Sequence, residues 1–332
     1  MIKESLIVLS LFDGMSCGRI ALERVGIEID KYFASEVDRH SIKVSHHNYP
    51  NIIQIGDVRN IYFQDGVLYT PHKSYDIGKI DLMIGGSPCQ QFSFAGKQQG
   101  ASTKNKIEVT TLSHYLELKS QNFEFEGQSY LFWEYMRLLN EIKPKYFLLE
   151  NVKMNKKWET VLNDAIGVTP ININSSLVSA QSRERLYWSN IPNIDQPKDR
   201  DVSLEDILEQ NVSYDVYYSN DSREYSNYDK NKVDKSINKI TPIQIGNSKQ
   251  FGNAVRNTNK AYTLRASNCN GILNEDYLIR KFTPIECERL QTVPDNYTEV
   301  ASPSQRRKML GNGWTVDVIA HILKGLKEGE ES

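Results

Sequence analysis

The sequence predicts an α/β protein with a doubly wound, Rossmann-like sheet, and two features of its first 190 residues support this fold. Short β-rich runs alternate with segments long enough to form helices. Several of these runs end in an acidic residue or in a glycine turn, at the strand end where open α/β sheets bind ligands. Strands that alternate with helices in this way are typical of βαβ units and a parallel sheet.

The elements follow in chain order. The first strand and helix are predicted from LIVLSLF and CGRIALERVG, and the second pair from KYFASEV and DRHSIKVSHHNY. A further strand is predicted from KIDLMIGG, then a helix from SYLFWEYMRLLNEIK and a strand from KYFLLENV. Near the C-terminus, helical periodicity returns in IRKFTPIECERLQ and NGWTVDVIAHILKGLKE.

Between residues 191 and 280 the composition changes to Asn, Ser, Tyr and Lys, with few long apolar runs. Residues 211–270 contain nine Lys or Arg and five Asp or Glu, a basic excess that a solvated, loop-rich face would also show. We predict one domain formed by residues 1–190 and 281–332, with a small domain, residues 191–280, inserted into it.

Composition indicates an ordinary globular chain. Of its 332 residues 39% are hydrophobic and 25% are charged, and the net charge of −2 neither demands nor excludes a nucleic-acid partner. We expect no membrane span, because every apolar stretch is far shorter than the roughly 20 residues that a bilayer requires. The four cysteines lie far apart without a C-x-x-C pair, so neither a zinc site nor disulfides are expected, and reduced thiols fit a cytoplasmic protein.

Three acids follow the first two predicted strands and the next apolar run. Asp13 lies in LFDG, Glu36 ends YFASE, and Asp57 follows NIIQIG. An acid after the second strand is well placed to accept the ribose hydroxyls of a nucleoside cofactor, and Asp57 could accept from an adenine amino group. Each acid taken singly could instead cap a helix.

Cys89 follows a Gly-Gly-Ser-Pro turn at the end of the run IDLMIGG. A thiol acts as a nucleophile only as its thiolate, which needs exposure and a stabilising environment. The turn lies where a doubly wound sheet binds ligands, but most lone cysteines are structural. Position alone therefore leaves both interpretations open.

Further motifs decide between them. LLENV places Glu150 and Asn151 at the end of an apolar run, and QSRERLYWSN places Arg183 and Arg185 where strand alternation would send both to one face. GNGWTVDVI lies near the C-terminus. The ordered set L-F-D-G, P-C-Q, E-N-V, Q-x-R-x-R and G-N-x-W resembles the DNA cytosine-5 methyltransferase family. The variant S-L-F-D-G together with G-G-S-P-C is especially similar to the catalytic domains of animal de novo methyltransferases and related bacterial and phage enzymes. The match to the family runs from about residue 5 to residue 325.

The resemblance implies a methyltransferase fold with an inserted target-recognition domain, and a role for each motif. Cys89 would add to C6 of cytosine, Glu150 would bind N3 and the 4-amino group, and Arg185 would hold the O2 edge. Arg185 could otherwise form a surface ion pair with Glu184, and Arg183 would support Arg185 or Cys89. The catalytic residues implied in this way are Pro88, Cys89, Glu150, Asn151, Arg183 and Arg185.

S-adenosylmethionine is the cofactor that the resemblance implies, and no metal is expected. Its pocket would be formed by Phe12, Asp13, Gly14, Glu36, Val37, Asp57, Val58, Asn312 and Trp314. The last two match a motif that completes this pocket; taken alone they would indicate only a turn with a core tryptophan.

Double-stranded DNA is the implied partner, and its target cytosine must be flipped out of the helix to reach Cys89. The segment from Lys97 to Gln128 lies where the family has a mobile catalytic loop, although a plain surface insertion would also fit. Residues 191–280 would recognise the target, with Thr263 and Arg265 as DNA-binding residues. We expect a monomer in the cytoplasm of a bacterial or phage-infected cell, and a cognate restriction endonuclease could act on the same site.

Two rival functions share these motifs. An RNA methyltransferase of the tRNA branch would use the same chemistry, but the sequence lacks the C-F-T tripeptide of that branch. A non-catalytic DNA-binding relative could lose Cys89 or Glu150 without losing its fold, yet both residues are present. The sequence therefore favours an active DNA methyltransferase.

Overall fold

The main sheet has seven strands. The computed structural model describes residues 5–92, 100–210, 212, 240–245, 254–255, 258–266, 269–274 and 279–328. The strands of this sheet are β1 (Leu6–Leu11), β2 (Ile29–Ser35), β3 (Ile53–Gln54), β7 (Leu82–Gly86), β8 (Tyr146–Val152), β9 (Ile171–Asn174) and β10 (Glu184–Ser189). They lie in the order β3-β2-β1-β7-β8-β10-β9. The predicted α/β class with a parallel-rich sheet is confirmed.

Strand direction determines which residues meet. β1 pairs in parallel with β2 and β7, and β7 pairs in parallel with β8, whereas β10 is antiparallel to β8. The segments that follow β1, β2, β7 and β8 therefore meet at one edge of the sheet. Val8, Leu9 and Leu11 of β1 are fully buried. This near-continuous apolar run is what a parallel strand needs when both faces of its sheet are covered.

Five helices lie between these strands: α1 (Cys17–Val25), α2 (Arg39–Asn48), α3 (Leu112–Ser120), α4 (Phe132–Ile142) and α5 (Lys156–Ile166). Local sequence sets their ends. Asp38 caps α2 by accepting from the His40 amide nitrogen at 2.9 Å, and Asn155 caps α5 by accepting from Trp158 N at 3.0 Å. Gly26 and Gly167 end α1 and α5 in the left-handed region, where a glycine is least strained.

A small antiparallel sheet interrupts the α/β pattern before β7. Its strands are β4 (Tyr62–Gln64), β5 (Val67–Tyr69) and β6 (Ser74–Asp76). The turn between β4 and β5 is Asp65-Gly66, with φ of 50° and 80°. Two consecutive positive φ values characterise the type I′ hairpin turn, for which Asp-Gly is a favoured pair. This sheet was not predicted from the sequence, although the dipeptide Asp65-Gly66 is a signal for a hairpin.

The chain divides into two compact units. The first comprises Met1–Ile173, Glu184–Gln196 and Ala320–Ser332, and the second comprises Asn174–Arg183 and Pro197–Ile319. This structural division does not coincide with the predicted domains, whose bounds remain a prediction about function. Much of the predicted recognition domain, including residues 213–239 and 246–253, lies outside the described residues.

The second unit contains a four-stranded sheet in the order β12-β11-β13-β14. These strands are β11 (Ile240–Ile245), β12 (Ala254–Val255), β13 (Cys269–Asn274) and β14 (Ile279–Lys281). Its helices are α6 (Leu204–Ile207), α7 (Pro284–Leu290) and α8 (Pro303–Asn312), and the chain continues into α9 (Val316–Leu323) and α10 (Gly325–Glu328).

Helix α7 shows how sequence fixes this unit locally. Thr283 and Glu286 form a capping box around Pro284, the first residue of the helix. The Glu286 carboxylate also binds the Arg280 guanidinium of β14, with Oε1 at 2.6 Å from Nη2, and both side chains are buried. A buried charge is stable only when it is paired, so this contact joins the strand to the helix.

The segment between Cys89 and α4 is folded over most of its length. Residues 93–99, at its start, lie outside the described residues. Isolated bridges join Ser102 to Glu108 and Thr103 to Phe125, and Tyr115 and Leu118 of α3 are buried in the main core. The predicted catalytic loop thus includes a packed helix, and its role in catalysis remains a prediction.

Candidate active site

Cys89 lies at the carboxyl edge of the main sheet, as its sequence position predicts. Strand β7 ends at Gly86, which is in register with Glu150 of the parallel strand β8. Three residues later Cys89 is half-buried, and its carbonyl accepts a hydrogen bond from the amide nitrogen of Phe92 at 3.0 Å. The predicted nucleophile and the predicted carboxylate therefore come from the ends of adjacent strands.

Asn151 connects these two strand ends directly. Its side-chain amide nitrogen lies 3.0 Å from the Ser87 hydroxyl and 3.4 Å from the Ser87 carbonyl, and the residue is 1% exposed. Its amide oxygen accepts from the Val152 nitrogen at 2.8 Å. Asn151 thus holds the Ser87-Pro88-Cys89 turn. Pro88 itself contributes a fixed φ and no amide donor.

Glu150 forms an ion pair with Arg185. The Nε atom of Arg185 lies 2.9 Å from Oε1 of Glu150, and both side chains are largely buried. Glu184, the alternative partner that the sequence allowed, instead binds Lys153 at the exposed surface, at 3.3 Å. The structure therefore brings together the two residues that were predicted to hold opposite edges of the base.

Arg183 belongs to the second unit, whereas Glu150 and Arg185 belong to the first. Strand β10 begins at Glu184, so the alternation that would place both arginines on one face does not extend to Arg183. Its guanidinium is 3% exposed and donates to the carbonyls of Leu264 and Gly313, each at 2.9 Å. These contacts position two loops; direct support of catalysis by Arg183 remains a prediction.

Glu36 joins the ends of β1 and β2. Its Oε2 accepts from Gly14 N at 2.7 Å, and its Oε1 accepts from the amide nitrogens of Val37 and Asp38 at 2.7 and 2.8 Å. Val37, beside it, is 68% exposed, which is unusual for a large apolar side chain. Together they form a half-buried acid beside an exposed apolar side chain.

Asp13 is a buried organiser of the first turn. Its carboxylate accepts from the hydroxyls of Ser16 and Tyr32, the latter at 2.8 Å. Burial raises the pKa of Asp13 from 3.8 to about 6, although these hydroxyl donors and that of Ser10 oppose the rise. Phe12 and Ser16 on either side have positive φ, of 55° and 66°. The carboxylate therefore stabilises an unusually tight backbone turn.

Asp57 has the cap role that the sequence left open. It precedes a short 3₁₀ helix, Val58–Asn60, and its carboxylate accepts from the backbone nitrogen of Arg59 at 2.9 Å. The Arg59 guanidinium also binds this carboxylate and holds the pKa of Asp57 below its usual value. Val58 is buried in the core. A cap and a ligand contact are compatible here, because Asp57 is only partly buried.

These strand ends fit a nucleoside cofactor. A Cβ placed on Gly14, whose φ is +60°, would meet no described atom within 4 Å, so the space before the turn is open. Around the sheet edge stand the acid of Glu36, the exposed Val37 and the carboxylate of Asp57. Acids suit ribose hydroxyls and an adenine amino group, and an apolar side chain suits the face of a purine.

The remaining predicted residues lie in the second unit. Asn312 is exposed at the end of α8, and Trp314 is half-buried. Arg183 donates to the carbonyls of Gly311 and Gly313, the residues on either side of Asn312. The Thr263 hydroxyl donates to the Ser182 carbonyl at 2.6 Å, and Arg265 is exposed. Cofactor and DNA contacts by these four residues remain predictions.

Sequence reasoning missed several residues that shape these sites. Ser87 and Arg59 adjoin predicted residues, and Gln181 begins the Q-x-R-x-R motif, so motif membership was an available signal. Arg59 also borders an open cavity of about 330 Å³ that the segment before α4 forms. The cavity is lined by Arg59, Lys104, Tyr115, Lys119, Phe123, Glu124, Phe125 and Tyr130.

The described residues contain neither a metal-ligand cluster nor a membrane-spanning helix. Within that part of the chain no cluster of His, Cys, Asp and Glu could hold a metal ion. Nor does any described helix have the length and apolar character needed to cross a membrane.

Comparison with known proteins gives a consistent result. A family model described as C-5 cytosine-specific DNA methylase matches residues 6–166 and 173–328. The chain is 27% identical to Type II methyltransferase M1.ScrFI of Lactococcus lactis subsp. cremoris, covering 97% of this chain and 78% of that protein. It is 26% identical to Type II methyltransferase M.NlaX of Neisseria lactamica, covering 96% of each.

Solved structures share the fold. The S. pombe Dnmt2 methyltransferase superposes with a TM-score of 0.63 at 16% identity, covering 98% of this chain and 100% of that one. The Entamoeba histolytica methyltransferase EhMeth superposes with a TM-score of 0.62 at 17% identity, covering 99% and 100%.

Proposed function

Since the chain belongs to the C-5 cytosine-specific DNA methylase family, we propose that it transfers a methyl group from S-adenosylmethionine to C5 of a cytosine flipped out of duplex DNA. One observation supports this above the others. Cys89 follows β7, Glu150 lies two residues before the end of the adjacent parallel strand β8, and Asn151 ties the two segments together. A nucleophile and a carboxylate so placed can act on two sides of one pyrimidine ring.

The reaction begins at Cys89. Cytosine C5 is a poor nucleophile, so the thiolate of Cys89 adds to C6 and forms the Sγ–C6 bond. The electron pair displaced from the C5–C6 double bond moves through the ring toward N3, where the carboxyl group of Glu150 binds N3 and the 4-amino group and relieves the negative charge. The ring is then enamine-like, and C5 carries the nucleophilic character that the free base lacks.

Arg185 and Asn151 position the reacting groups, and Arg185 also supplies a positive charge. Arg185 already contacts Glu150 at 2.9 Å, and its guanidinium is suited to donate a hydrogen bond to O2 of the base while it holds the carboxyl group in place. Asn151 keeps the cysteine turn at a fixed distance from β8. After methyl transfer a base removes the C5 proton, the Sγ–C6 bond breaks, and Cys89 is released as a thiolate.

The cofactor supplies an electrophilic methyl sulfonium when it is bound. Glu36 would accept its ribose hydroxyls, Val37 would contact the adenine face, and Asp57 would accept from the adenine amino group. Asp13 and Gly14 would shape the turn beside the amino-acid portion. Asn312 and Trp314 of the second unit would complete the pocket. Each of these residues would bind and orient the cofactor, and bonds form and break only at Cys89, the methyl group and the cytosine ring.

Replacing Cys89 by serine tests the assignment. Serine keeps the shape of the site, but its hydroxyl has no readily formed anion, so turnover should fall by at least about 100-fold while cofactor binding persists. Wild type and Cys89→Ser are incubated with methyl-labelled S-adenosylmethionine and mixed genomic DNA, and the DNA is digested to nucleosides. We expect label in 5-methyldeoxycytidine from wild type only.

The other outcomes separate the rivals. Label in RNA but not in DNA would support an RNA methyltransferase. Cofactor binding without any methyl transfer would support a DNA-binding relative without activity. Undiminished turnover by Cys89→Ser would remove this residue from its assigned role.

A further inference from the structure

A buried network of polar side chains lies within the second unit, centred on Gln291, which directly follows α7 and is completely buried. Its side-chain nitrogen donates to the carbonyls of Leu310 and Gly313, at 2.6 and 3.2 Å. Its side-chain oxygen accepts from the Thr315 hydroxyl at 2.8 Å. Gln291 therefore holds the loop that carries Asn312 and Trp314 from both sides.

The same network reaches a second loop through Gln181. The side-chain nitrogen of Gln181 donates to the Gln291 oxygen at 3.1 Å, and its own oxygen accepts from the Leu264 nitrogen at 2.7 Å. Gln181 is also fully buried. Arg183 binds the Leu264 carbonyl at 2.9 Å, so both backbone polar groups of Leu264 are engaged. Leu264 lies between Thr263 and Arg265, the predicted DNA contacts.

The backbones of the two loops also touch. A Cβ placed on Gly311 would lie 2.4 Å from the carbonyl carbon of Arg265 and 2.5 Å from the nitrogen of Ala266. No side chain fits at such distances, so glycine is required there. The two loops consequently cannot move independently without breaking buried hydrogen bonds or separating this contact.

We propose that Gln291 is a positioning residue that couples the Gly311–Trp314 loop to the Thr263–Arg265 loop, so that cofactor binding and DNA binding strengthen each other. This inference rests on the proposed function, which assigns the first loop to the cofactor and the second to DNA. A fully satisfied buried network has few alternative arrangements, because each displaced group would remain without a partner. Whatever fixes one loop therefore favours the binding geometry of the other.

Coupling of this kind is reciprocal, and it is measured as a ratio of affinities. In wild type, S-adenosylhomocysteine should tighten binding of a short fluorescent duplex, taken from DNA that the protein methylates, by about tenfold, within the usual range of allosteric couplings. Gln291→Met keeps the length of the side chain and removes both its polar atoms. It should reduce this factor to less than about twofold.

A matched control separates coupling from stability. Thr298 is also fully buried in the second unit, and its hydroxyl binds Glu288 and Arg306 rather than Gln291. Thr298→Val should lower Tm and leave the tenfold factor intact. If Gln291→Met does not fold, Thr315→Val removes one of its hydrogen bonds and should reduce the factor in part.

The inference would be overturned by a wild-type factor near one, or by an unchanged factor in Gln291→Met and Thr315→Val. Equal loss in Thr298→Val would also overturn it, because the effect would then be one of general stability. Failure of the proposed function would appear elsewhere, as the absence of methyl transfer by wild type.

Discussion

Asn151 ties the turn before Cys89 to the strand that carries Glu150. Its nitrogen holds Ser87, two residues before Cys89, and its oxygen accepts from the nitrogen of Val152. The residue is buried where β8 passes β7, so the turn that presents the thiol is tied to the strand that presents Glu150. Small displacements of reacting groups have large effects on rate, which makes this contact a sensitive one.

Asn151→Leu tests this role. Leucine has a similar volume but cannot bind Ser87, so we expect kcat to fall by about 10- to 100-fold while the KM for S-adenosylmethionine stays near its wild-type value. The matched control is Asn163→Leu, which removes the 2.7 Å bond from the Trp188 indole in the same unit. Steady-state kinetics should show a normal kcat in the control. An equal fall in both variants would mean that stability alone is responsible.

Asp13 makes a prediction about pH. Its pKa is raised by burial from 3.8 to about 6, so between these values the folded protein holds a proton that the unfolded chain has released. Its contribution to the free energy of unfolding is then fully present below about pH 4 and is lost as the pH rises through 6. The loss amounts to about 3 kcal/mol at most, since one pKa unit corresponds to about 1.4 kcal/mol.

Asp13→Asn cannot titrate and isolates this contribution. The free energy of unfolding of wild type minus that of the variant should fall as the pH rises from about 4 to about 7. Urea unfolding of both proteins without cofactor, across that range, gives the difference. A difference independent of pH would show that Asp13 ionises as an ordinary carboxyl group in the folded protein.

For single residues, the sequence predicted positions at strand ends but not contacts with distant partners. Cys89, Glu150 and Asn151 end runs of apolar residues, and parallel strands bring such ends to one edge. The partners of Arg183 are carbonyls about 80 and 130 positions away. No periodicity records such contacts, so a buried arginine on backbone carbonyls could not be distinguished from one facing the substrate.

At the scale of elements, the predicted strands and helices of the first unit are present wherever the sequence showed a clear hydrophobic periodicity and clear signals for the ends of the element. The small sheet of β4, β5 and β6 was missed because its strands are only three residues long. Helix α3 lies in the segment that the family resemblance assigned to a mobile loop, so no helix was predicted there. It is stable through packing, since Tyr115 and Leu118 are buried, and tertiary contacts rather than propensity stabilise such short helices.

Gly100 tests the packing of the segment that leads to α3. Its φ is +63°, and a Cβ there would lie 1.8 Å from the Trp158 ring. Gly167, at the end of α5, has φ +81° and no described atom within 4 Å of a Cβ. Gly167→Ala should therefore cost only about 1–2 kcal/mol for the left-handed backbone.

Gly100→Ala should cost about 1–3 kcal/mol more than Gly167→Ala, because it adds overpacking to the same backbone strain. Denaturant unfolding of both variants against wild type gives the two values. Equal losses would show that Trp158 moves aside without cost and that this segment is loosely packed.

At the scale of the whole molecule, the predicted residues are divided between the two units. The first contains Cys89, Glu150 and three strand-end acids, and the second contains the loops that Arg183 and Gln291 hold. Fold class followed from alternating strands and helices, and family followed from the order of motifs. The target sequence could not be predicted, because base recognition depends on side chains of an irregular segment that have no sequence period.

The most direct test of the central claim is to trap Cys89 on its substrate. DNA in which cytosine is replaced by 5-fluorocytosine is incubated with the protein and S-adenosylmethionine. After methyl transfer C5 carries fluorine in place of the proton that must leave, so the Sγ–C6 bond cannot break. We expect mass spectra to show a nucleotide adduct on the peptide that contains Cys89. This adduct should require the cofactor and should be absent from Cys89→Ser. An adduct on another residue, or none from a protein that methylates ordinary DNA, would contradict it.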